Sequence, residues 1–441
     1  MDTARRRRVL KRKADTIPLI KKAKNTSESK ASFFISKVLP IFLQDKLEKS
    51  EKILYTKEKE EGMRIAIFGG SFNPVHNEHI RMAKCAAVEL SLDTLYVMPA
   101  HTPPHKQGKW LAPNEERLKA CEIAFAGEEN VVVSDYEIRQ GGTSYTYLTC
   151  RHFRSLYPSA EIFWLVGTDM LRDFPTWKNP EDILSNVTLC VCGRAEQSDW
   201  VDEENKKFYK RFGKKFLTIS YMGKDVSSTK IRVLLGAGMD ASEFLDENVE
   251  RYIKEKGTYA VPFAKDALAL QTEKRRAHSI RVALTAVERA KGLKIPEDKA
   301  LLASLMHDCA KNLPKDSPYL QGFIMPTEWG DVPGEVAHQF LGAYVAKTHF
   351  FVDDEDVVNA IRFHTSARPN MSELEKLIFL ADMVEEERRY DGVERLRALF
   401  WEGENLDECL ALALKETLAF LEKKGGEIYP LTSLACEYYN N

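Results

Sequence analysis

Six imidazole and carboxylate side chains recur, one or two per segment, in the second half of this 441-residue sequence. They are His278, the adjacent pair His307–Asp308, His338, His364 and Asp382. Each falls in a helical or helix-terminal segment flanked by apolar residues. One buried histidine is usually a satisfied core residue. Six such groups gathered in one core without a metal would leave polar atoms unpaired at considerable cost. Mixed nitrogen and oxygen ligands fit Fe, Mn, Co or Zn, so the set predicts a metal centre.

A second group stands in the first half. Gly69, Gly70 and Ser71 end a short apolar run, and His76 and His79 follow three residues apart. Glycines let a backbone approach a phosphate closely. A helix starting near His76 adds unpaired N–H donors and a favourable dipole, and both imidazoles share one face at that end. Further on, "VSSTKIR" (Val226–Arg232) sets Ser227, Ser228 and Thr229 before a helix and Arg232 in its first turn. Any of these hydroxyls can cap the helix. Together with the amides and Arg232 they make a second anion site, and two at one sheet edge suit the triphosphate of ATP.

The elements that must position these residues are legible in part. "RIAIFGG" reads as a strand and "HIRMAKCAAVEL" as a helix; "DTLYVMPA" is a second strand. "APNEERLKACEIAFAG" is a helix that Asn114 can cap, "VVVSDYEI" is strand-like and "SYTYLTCRHFRSLYP" is helical. "EIFWLVGTDML" is a buried strand, "PEDILSNVTLCVCGR" a helix then a strand, and "FLTISYMG" a strand before the "SSTKIRVLLGAG" helix. Strands alternating with helices imply a parallel sheet covered on both faces, with ligands at the carboxyl ends of its strands. After "ENVERYIKEKGTY" the alternation stops, and from Thr272 the chain reads as successive helices. The expected organisation is a basic extension over 1–62, an α/β domain over 63–260, a linker over 261–271 and an all-α domain over 272–441.

Length alone predicts two or three domains. The composition, 44% hydrophobic and 29% charged, is that of a globular protein. No stretch approaches twenty uncharged apolar residues, so no membrane span is expected. The basic start leads into no sustained apolar region of a signal peptide. Eight cysteines show no CxxC spacing, and a cytoplasmic setting is expected. The net charge of −2 gives no argument for nucleic acid as a partner. "RRRRVLKRK" and "KKAK" within residues 1–24 form the one segment that could touch it, or else a solvated extension. Residues 32–55 could form a short amphipathic helix. Assembly with further copies of the chain is left open.

"GGSFNPVHNEH" with "SSTKIR" resembles the nucleotidyltransferase superfamily, and more narrowly the bacterial nicotinate-nucleotide adenylyltransferases. "MPAHTPPHK", "SYTYLT", "LVGTDMLRDFPTWKNPEDIL" and "VERYIKEKGTY" carry the resemblance over roughly 63–260. It implies a Rossmann-like fold and adenylyl transfer from ATP, with Mg²⁺, to nicotinate mononucleotide. The acceptor's phosphate attacks the α-phosphorus, and pyrophosphate leaves. The resemblance makes His76 and His79 stabilisers of charge on the reacting phosphates, with Arg232 and Ser228 on the leaving pyrophosphate. The cradle is Gly69, Gly70, Ser71 and Phe72 with Ser227 and Thr229; Lys106 is implied as a phosphate contact and Asp169 as a ribose contact. Thr146 and Trp177 line the nicotinate pocket. Two departures stand out: Glu78 where the family usually has glycine between the histidines, and Lys178 where relatives often have an aromatic. Met63 stands where such a first strand begins, so residues 1–62 are expected to be dispensable for this chemistry.

The order of histidines and aspartates downstream resembles the HD-domain phosphohydrolases, of the type that splits diadenosine tetraphosphate symmetrically into two ADP. "HSIRVA", "LMHDCAK", "RFHTSARPNMSELEKLIFLADMVEEERRYDGV" and "EIYPLTSLACEYYN" carry it over 272–441, with Gln339 departing from the usual glycine. The resemblance implies two divalent metals, Fe, Mn or Co. One is held by His278, His307, Asp308 and Asp382; Asp308 bridges to the second, which His338 and His364 complete. A water between the metals attacks a phosphorus, and Lys311 and Arg368 contact the polyphosphate. Two rival readings stay open. The acceptor could be nicotinamide mononucleotide or phosphopantetheine, and the helical domain could sense nucleotides without hydrolysing them.

Overall fold

The computed structural model describes residues 62–104, 110–193, 198–221, 223–224, 226–328 and 330–441. The basic run, the helix expected over 32–55 and Lys106 lie outside the described residues. Residues Arg64–Leu156 and Glu161–Asn441 form one compact unit, to which everything below belongs. The other unit joins Met1–Met63 with Tyr157–Ala160; its described part includes a turn in which the Ala160 N–H donates to the Tyr157 carbonyl.

In chain order the first half runs β1 (Arg64–Gly70), α1 (Asn77–Glu89), β2 (Thr94–Pro99), α2 (Asn114–Ala124), β3 (Val131–Val133), α3 (Tyr136–Gln140) and α4 (Thr146–Leu156). It continues with β4 (Glu161–Gly167), α5 (Thr168–Asp173), α6 (Pro180–Asn186), β5 (Thr188–Gly193), α7 (Ser198–Phe212), β6 (Leu217–Ser220), α8 (Ser228–Gly236) and α9 (Glu247–Lys256). The strands lie in the order β3-β2-β1-β4-β5-β6, with every pairing parallel. That is the expected Rossmann-like sheet. Continuous apolar runs such as Ile65–Ile67 and Ile162–Val166 are buried because helices cover both faces. The chain reverses its direction of travel between β1 and β4, where a crevice opens at the carboxyl ends. Gly69 sits at that end because nothing larger fits: a Cβ there would lie 2.5 Å from the Trp164 ring.

The second half is helical, as expected of an HD domain. It comprises α10 (Ala264–Ala269), α11 (Glu273–Leu293), α12 (Glu297–Met306), α13 (Gly334–Thr348), α14 (Glu355–Arg362), α15 (Glu373–Val384), α16 (Val393–Glu402), α17 (Asp407–Lys424) and α18 (Pro430–Asn440). Thr272, Asp354 and Ser372 cap α11, α14 and α15 by accepting from backbone N–H groups of the first turn. Leu301, Met306, Ile361, Leu377 and Leu380 build its core. Helix α8 serves both halves: Ile231 and Leu235 pack into the sheet's core, Val233 and its C-terminal neighbour Ala237 into the helical one.

Some local expectations need correction. "VVVSDYEI" is a strand only over Val131–Val133 and then turns into α3. Asn114 is the first residue of α2, behind an N-cap at Pro113, and its side-chain oxygen accepts from the Arg117 guanidinium. The presumed connection "VPFAKDALALQ" contains α10. Helix α7, whose composition is strongly charged, was given no element by sequence patterning. All eight cysteines are free, and Cys190 and Cys192 are buried in β5. Among the described residues no helix is long and apolar enough to cross a membrane.

Candidate active sites

At the switch point, β1 ends in Gly69–Gly70 and the chain turns through Ser71 and Phe72 into α1. Phe72 adopts a left-handed backbone, with φ of 43°, a conformation uncommon for a bulky residue and typical of functional loops. Its ring packs edge-on against Phe68 and His79 at 5.3 and 5.0 Å between centroids. His76 is the N-cap of α1, and its ring stacks on that of His79 at 3.7 Å. The His76 backbone N–H donates to Nδ1 of His79 at 3.2 Å. Burial holds His76 down to about 4, so its imidazole is neutral near pH 7.

The second motif lies close by. Ser227 caps α8 by accepting from the Lys230 N–H at 3.1 Å. Ser228 opens the helix, and the buried Thr229 hydroxyl accepts from Lys291. Glu78 ties the motifs together: its carboxylate accepts from the Tyr221 hydroxyl and, at 2.9 Å, from the Lys224 N–H. The residue that departs from the family pattern thus fastens α1 to the segment before α8. Arg232 is buried, donating to the Asn73 carbonyl at 2.9 Å and to Glu297 at 2.5 Å.

Across the crevice, Thr146 begins α4 and the exposed Asp169 lies in the first turn of α5. A Cβ at Gly167 would stand 2.7 Å from an Asp169 oxygen, so a larger residue there would turn the exposed Asp169 carboxylate aside. Trp177 packs on Phe174, and its buried indole N–H has no hydrogen-bond partner among the described residues. Lys178 lies over the Tyr145 ring at 4.1 Å, so it closes on "SYTYLT" as a cation over an aromatic face.

In the helical half, the six expected groups converge on Asp308. Its Oδ1 lies 3.3 Å from Nε2 of His338 and 3.5 Å from Nε2 of His364; its Oδ2 lies 3.4 Å from Nε2 of His307 and 4.0 Å from Nε2 of His278. Nε2 of His278 is 2.9 Å from Asp382. Two triads have ligand atoms within 4.8 Å of one another: His278, His307 and Asp382, and His307, Asp308 and His364. His307 and His364 donate Nδ1–H to the carbonyls of Ser304 and Ile361 at 2.6 and 2.7 Å. That leaves Nε2 of each without a proton and aimed inward, the tautomer a metal requires, with Nε2 of His364 3.1 Å from Nε2 of His338. Nε2 of His307 is buried with no hydrogen-bond partner among the described residues.

Electrostatics agree with that donor set at His338, His364 and Asp308, whereas at His278 burial works to lower the imidazole but its bonds to Asp382 and Glu385 outweigh it and raise it. Burial, aided by the neighbouring His364 and Lys311, holds His338 down to about 3. Burial also lowers His364. Burial works to raise Asp308, but the His307 and His364 imidazoles outweigh it and hold the carboxyl well below the usual range. Neutral imidazoles and ionised carboxylates are the forms that ligate metals, so the residues present fit a divalent centre.

Residues 67–234 match the family model described as Cytidylyltransferase-like, and residues 275–387 match that of the HD domain. A Mycoplasma genitalium protein described as a "probable nicotinate-nucleotide adenylyltransferase/Ap4A hydrolase" is 28% identical over 357 residues, covering 80% of this chain and 97% of that one. A Clostridium tetani "probable nicotinate-nucleotide adenylyltransferase" is 34% identical over 195 residues, 44% of this chain and 98% of that one. The chain belongs to the nicotinate-nucleotide adenylyltransferase family. Its helical half is an HD domain. A solved "predicted HD superfamily hydrolase involved in NAD metabolism" from Clostridium acetobutylicum is 36% identical, covering 40% of this chain and 95% of that one, with a TM-score of 0.36.

Several residues of this adenylyltransferase–HD chain carry no motif yet build its sites. Asn73 donates to the Trp110 carbonyl at 2.9 Å and accepts from the Ala112 N–H at 3.0 Å and the Tyr259 hydroxyl at 2.7 Å. The buried Arg117 donates to the carbonyls of Ser71, Ala100 and Ala112 at 2.7, 2.6 and 3.1 Å, pinning the loops after β1 and β2. In the HD half, Arg275 donates to Asp308 at 2.7 Å, and Glu385 pairs with Nδ1 of His278 at 3.2 Å. Gln339, the departure in the helical half, accepts from the N–H groups of Thr365 and Ser366, both at 3.0 Å, fixing the turn after His364. Lys311 sits 3.3 Å from Asp308, whereas Arg368 is clamped by both oxygens of the buried Glu375 at 2.6 and 2.8 Å. A buried arginine or glutamine announces such roles only through its cost if unpaired.

Proposed function

We propose that the chain is bifunctional: it transfers AMP from ATP to nicotinate mononucleotide, and it hydrolyses diadenosine tetraphosphate symmetrically to two ADP. The transferase reading is supported by the stacked His76–His79 pair at the start of α1, beside the glycine end of β1 and the Ser227-capped start of α8. A phosphate oxygen of the acceptor forms a bond to the α-phosphorus of ATP, and the bond to the pyrophosphate oxygen breaks. No protein nucleophile is needed; positioning and charge neutralisation suffice. The cradle of Gly69–Phe72 offers backbone N–H groups, His76 and His79 face developing phosphate charge, and Ser228 with the α8 amides receives the leaving pyrophosphate. Asp169 takes the ribose, and Thr146 and Trp177 flank the nicotinate ring. Mg²⁺ accompanies ATP.

For the second activity the supporting observation is a single carboxylate, Asp308, surrounded by four imidazoles. His278, His307, Asp308 and Asp382 would hold one divalent cation, and Asp308 with His338 and His364 a second; Fe, Mn and Co suit these donors. Such cations supply an acidified water and screen phosphate charge. The protein's own part is to keep His307 and His364 in fixed tautomers through their Nδ1–H bonds and to set Lys311 beside Asp308 as a polyphosphate contact.

The deciding experiment is a two-substrate assay of the purified chain, with His79→Ala and Asp308→Ala as separate controls. ATP with nicotinate mononucleotide must give nicotinate adenine dinucleotide, and diadenosine tetraphosphate with Mn²⁺ or Fe²⁺ must give ADP alone. Each substitution is expected to abolish one activity and spare the other. Preference for nicotinamide mononucleotide or phosphopantetheine would overturn the acceptor, and tight tetraphosphate binding without ADP release would make the HD half a sensor.

A further inference from the structure

One buried ion pair joins the two halves. A guanidinium nitrogen of Arg232 donates to Glu297 at 2.5 Å, and both side chains are about 4% exposed. Arg232 belongs to the "SSTKIR" motif on α8, whereas Glu297 opens α12 of the HD half. The other terminal nitrogen of Arg232 donates at 2.9 Å to the carbonyl of Asn73, in the loop that leads from Phe72 to His76. One guanidinium therefore spans from the phosphate loop to the helical half. Lys291 of α11 adds a second tie through its bond to Thr229. A third is steric: a Cβ on Gly236 would stand 2.7 Å from Leu301 of α12.

An Arg232 that swung out to grip a phosphate would leave Glu297 buried without a counter-charge and the Asn73 carbonyl without its donor. Both losses are costly in a dry interior. We propose that Glu297, a residue of the HD half, is a positioning residue for adenylyl transfer. It fixes Arg232, and Arg232 in turn braces the loop that carries His76 and His79. The inference rests on the adenylyl-transfer reading above.

The test uses the full-length chain with Glu297→Gln, Arg232→Gln and the double variant. Glu297→Gln keeps the shape and removes the charge. It is expected to lower kcat for adenylyl transfer by about ten- to a hundredfold, as a misplaced reacting group does, with KM for ATP changing far less. The two residues act as one unit, so the double variant loses no more than the worse single one. Hydrogen exchange of the backbone over residues 71–76 rises in all three. An unchanged or raised kcat in Glu297→Gln overturns the proposal, the raised value marking Glu297 as a restraint on a phosphate-binding arginine. Losses that multiply overturn it too. If Glu297→Gln does not fold, the volume-matched Arg232→Met/Glu297→Leu pair takes its place and must show the same loss; wild-type kcat there overturns the brace. If the wild type transfers nothing to nicotinate mononucleotide, the functional reading falls, and the exchange measurement alone decides whether Glu297 braces the loop.

Discussion

The imidazoles of His76 and His79 stack at 3.7 Å, and the backbone N–H of the first donates to Nδ1 of the second at 3.2 Å. The contact fixes the His79 tautomer, because Nδ1 must be the acceptor. His76 is meanwhile neutral, held down from 6.5 to about 4 chiefly by burial. Its folded value is below its unfolded one, so between them the unfolded chain binds more protons. Stability from this residue is therefore intact above 6.5 and falls as pH drops toward 4, by a loss on the order of 3 kcal/mol. Thermal melts at pH 7 and 4.5 are expected to show a smaller drop for His76→Gln than for the wild type. Equal drops would remove His76 as the source.

Glu78 stands where the family resemblance implies glycine, and the structure gives it a task. Glu78→Ala strands the Lys224 N–H and leaves the Tyr221 hydroxyl only its longer bond, at 3.2 Å, to the backbone carbonyl of residue 78. A loss of about 1–3 kcal/mol in stability is expected, with a raised KM for ATP as the two anion sites drift apart. The ion pair to Arg81 is half exposed and contributes little of this. Tyr221→Phe in the same chain should recover part of the stability, since the hydroxyl that has lost its carboxylate partner is then removed. Additive losses in the double variant would show that the contact does not carry the effect.

Glu385 is the outer partner of the proposed metal centre. It holds Nδ1 of His278 at 3.2 Å and is itself held by Arg281 at 2.7 Å. Burial works to raise Glu385, yet its bonds from His278 and Arg281 bring it down to about 2. Such partners orient a ligand, and losing one costs about 10–100-fold in metal affinity or activity. Glu385→Ala should weaken Mn²⁺ binding by that factor and leave adenylyl transfer untouched. A chelator should lower the melting temperature, and Mn²⁺ at a hundredfold over its Kd should restore about 2.7 kcal/mol. An unchanged melt on adding either would argue against a metal at Asp308.

What the sequence made legible was what repeats or alternates. The parallel sheet followed from apolar runs broken by helical spacing, and the HD core from histidines and aspartates recurring segment by segment. Gly69 could be read because glycine before a helix has few other uses. Arg232 was legible as a cation in a motif, but not its partners: Glu297 lies 65 positions away and Asn73 159. Asn73, Arg117 and Gln339 follow no period and belong to no charge pattern. Their value lies in buried hydrogen bonds to backbone groups, which the chain acquires only when distant loops meet. Asn114 illustrates the same limit at short range, where an arginine three residues on took the oxygen expected to cap the helix.

Gly236 offers a test in which the usual expectation changes sign. It is the last residue of α8, with an ordinary helical backbone, where glycine costs up to about 1 kcal/mol relative to alanine, the figure for a helix interior. Alanine should therefore stabilise the chain if nothing else intervened. Here a Cβ would stand 2.7 Å from Leu301 and 3.2 Å from the Tyr259 carbonyl. Leu301 is fully buried in the helical core, so its side chain cannot turn aside without displacing others. Overpacking of this kind costs about 1–3 kcal/mol, enough to outweigh the helical gain. Gly236→Ala should lower the melting temperature, and Gly236→Ala with Leu301→Ala should lose less than the sum of the two single variants. A Gly236→Ala chain that melts higher than the wild type would mean that α8 and α12 do not approach this closely.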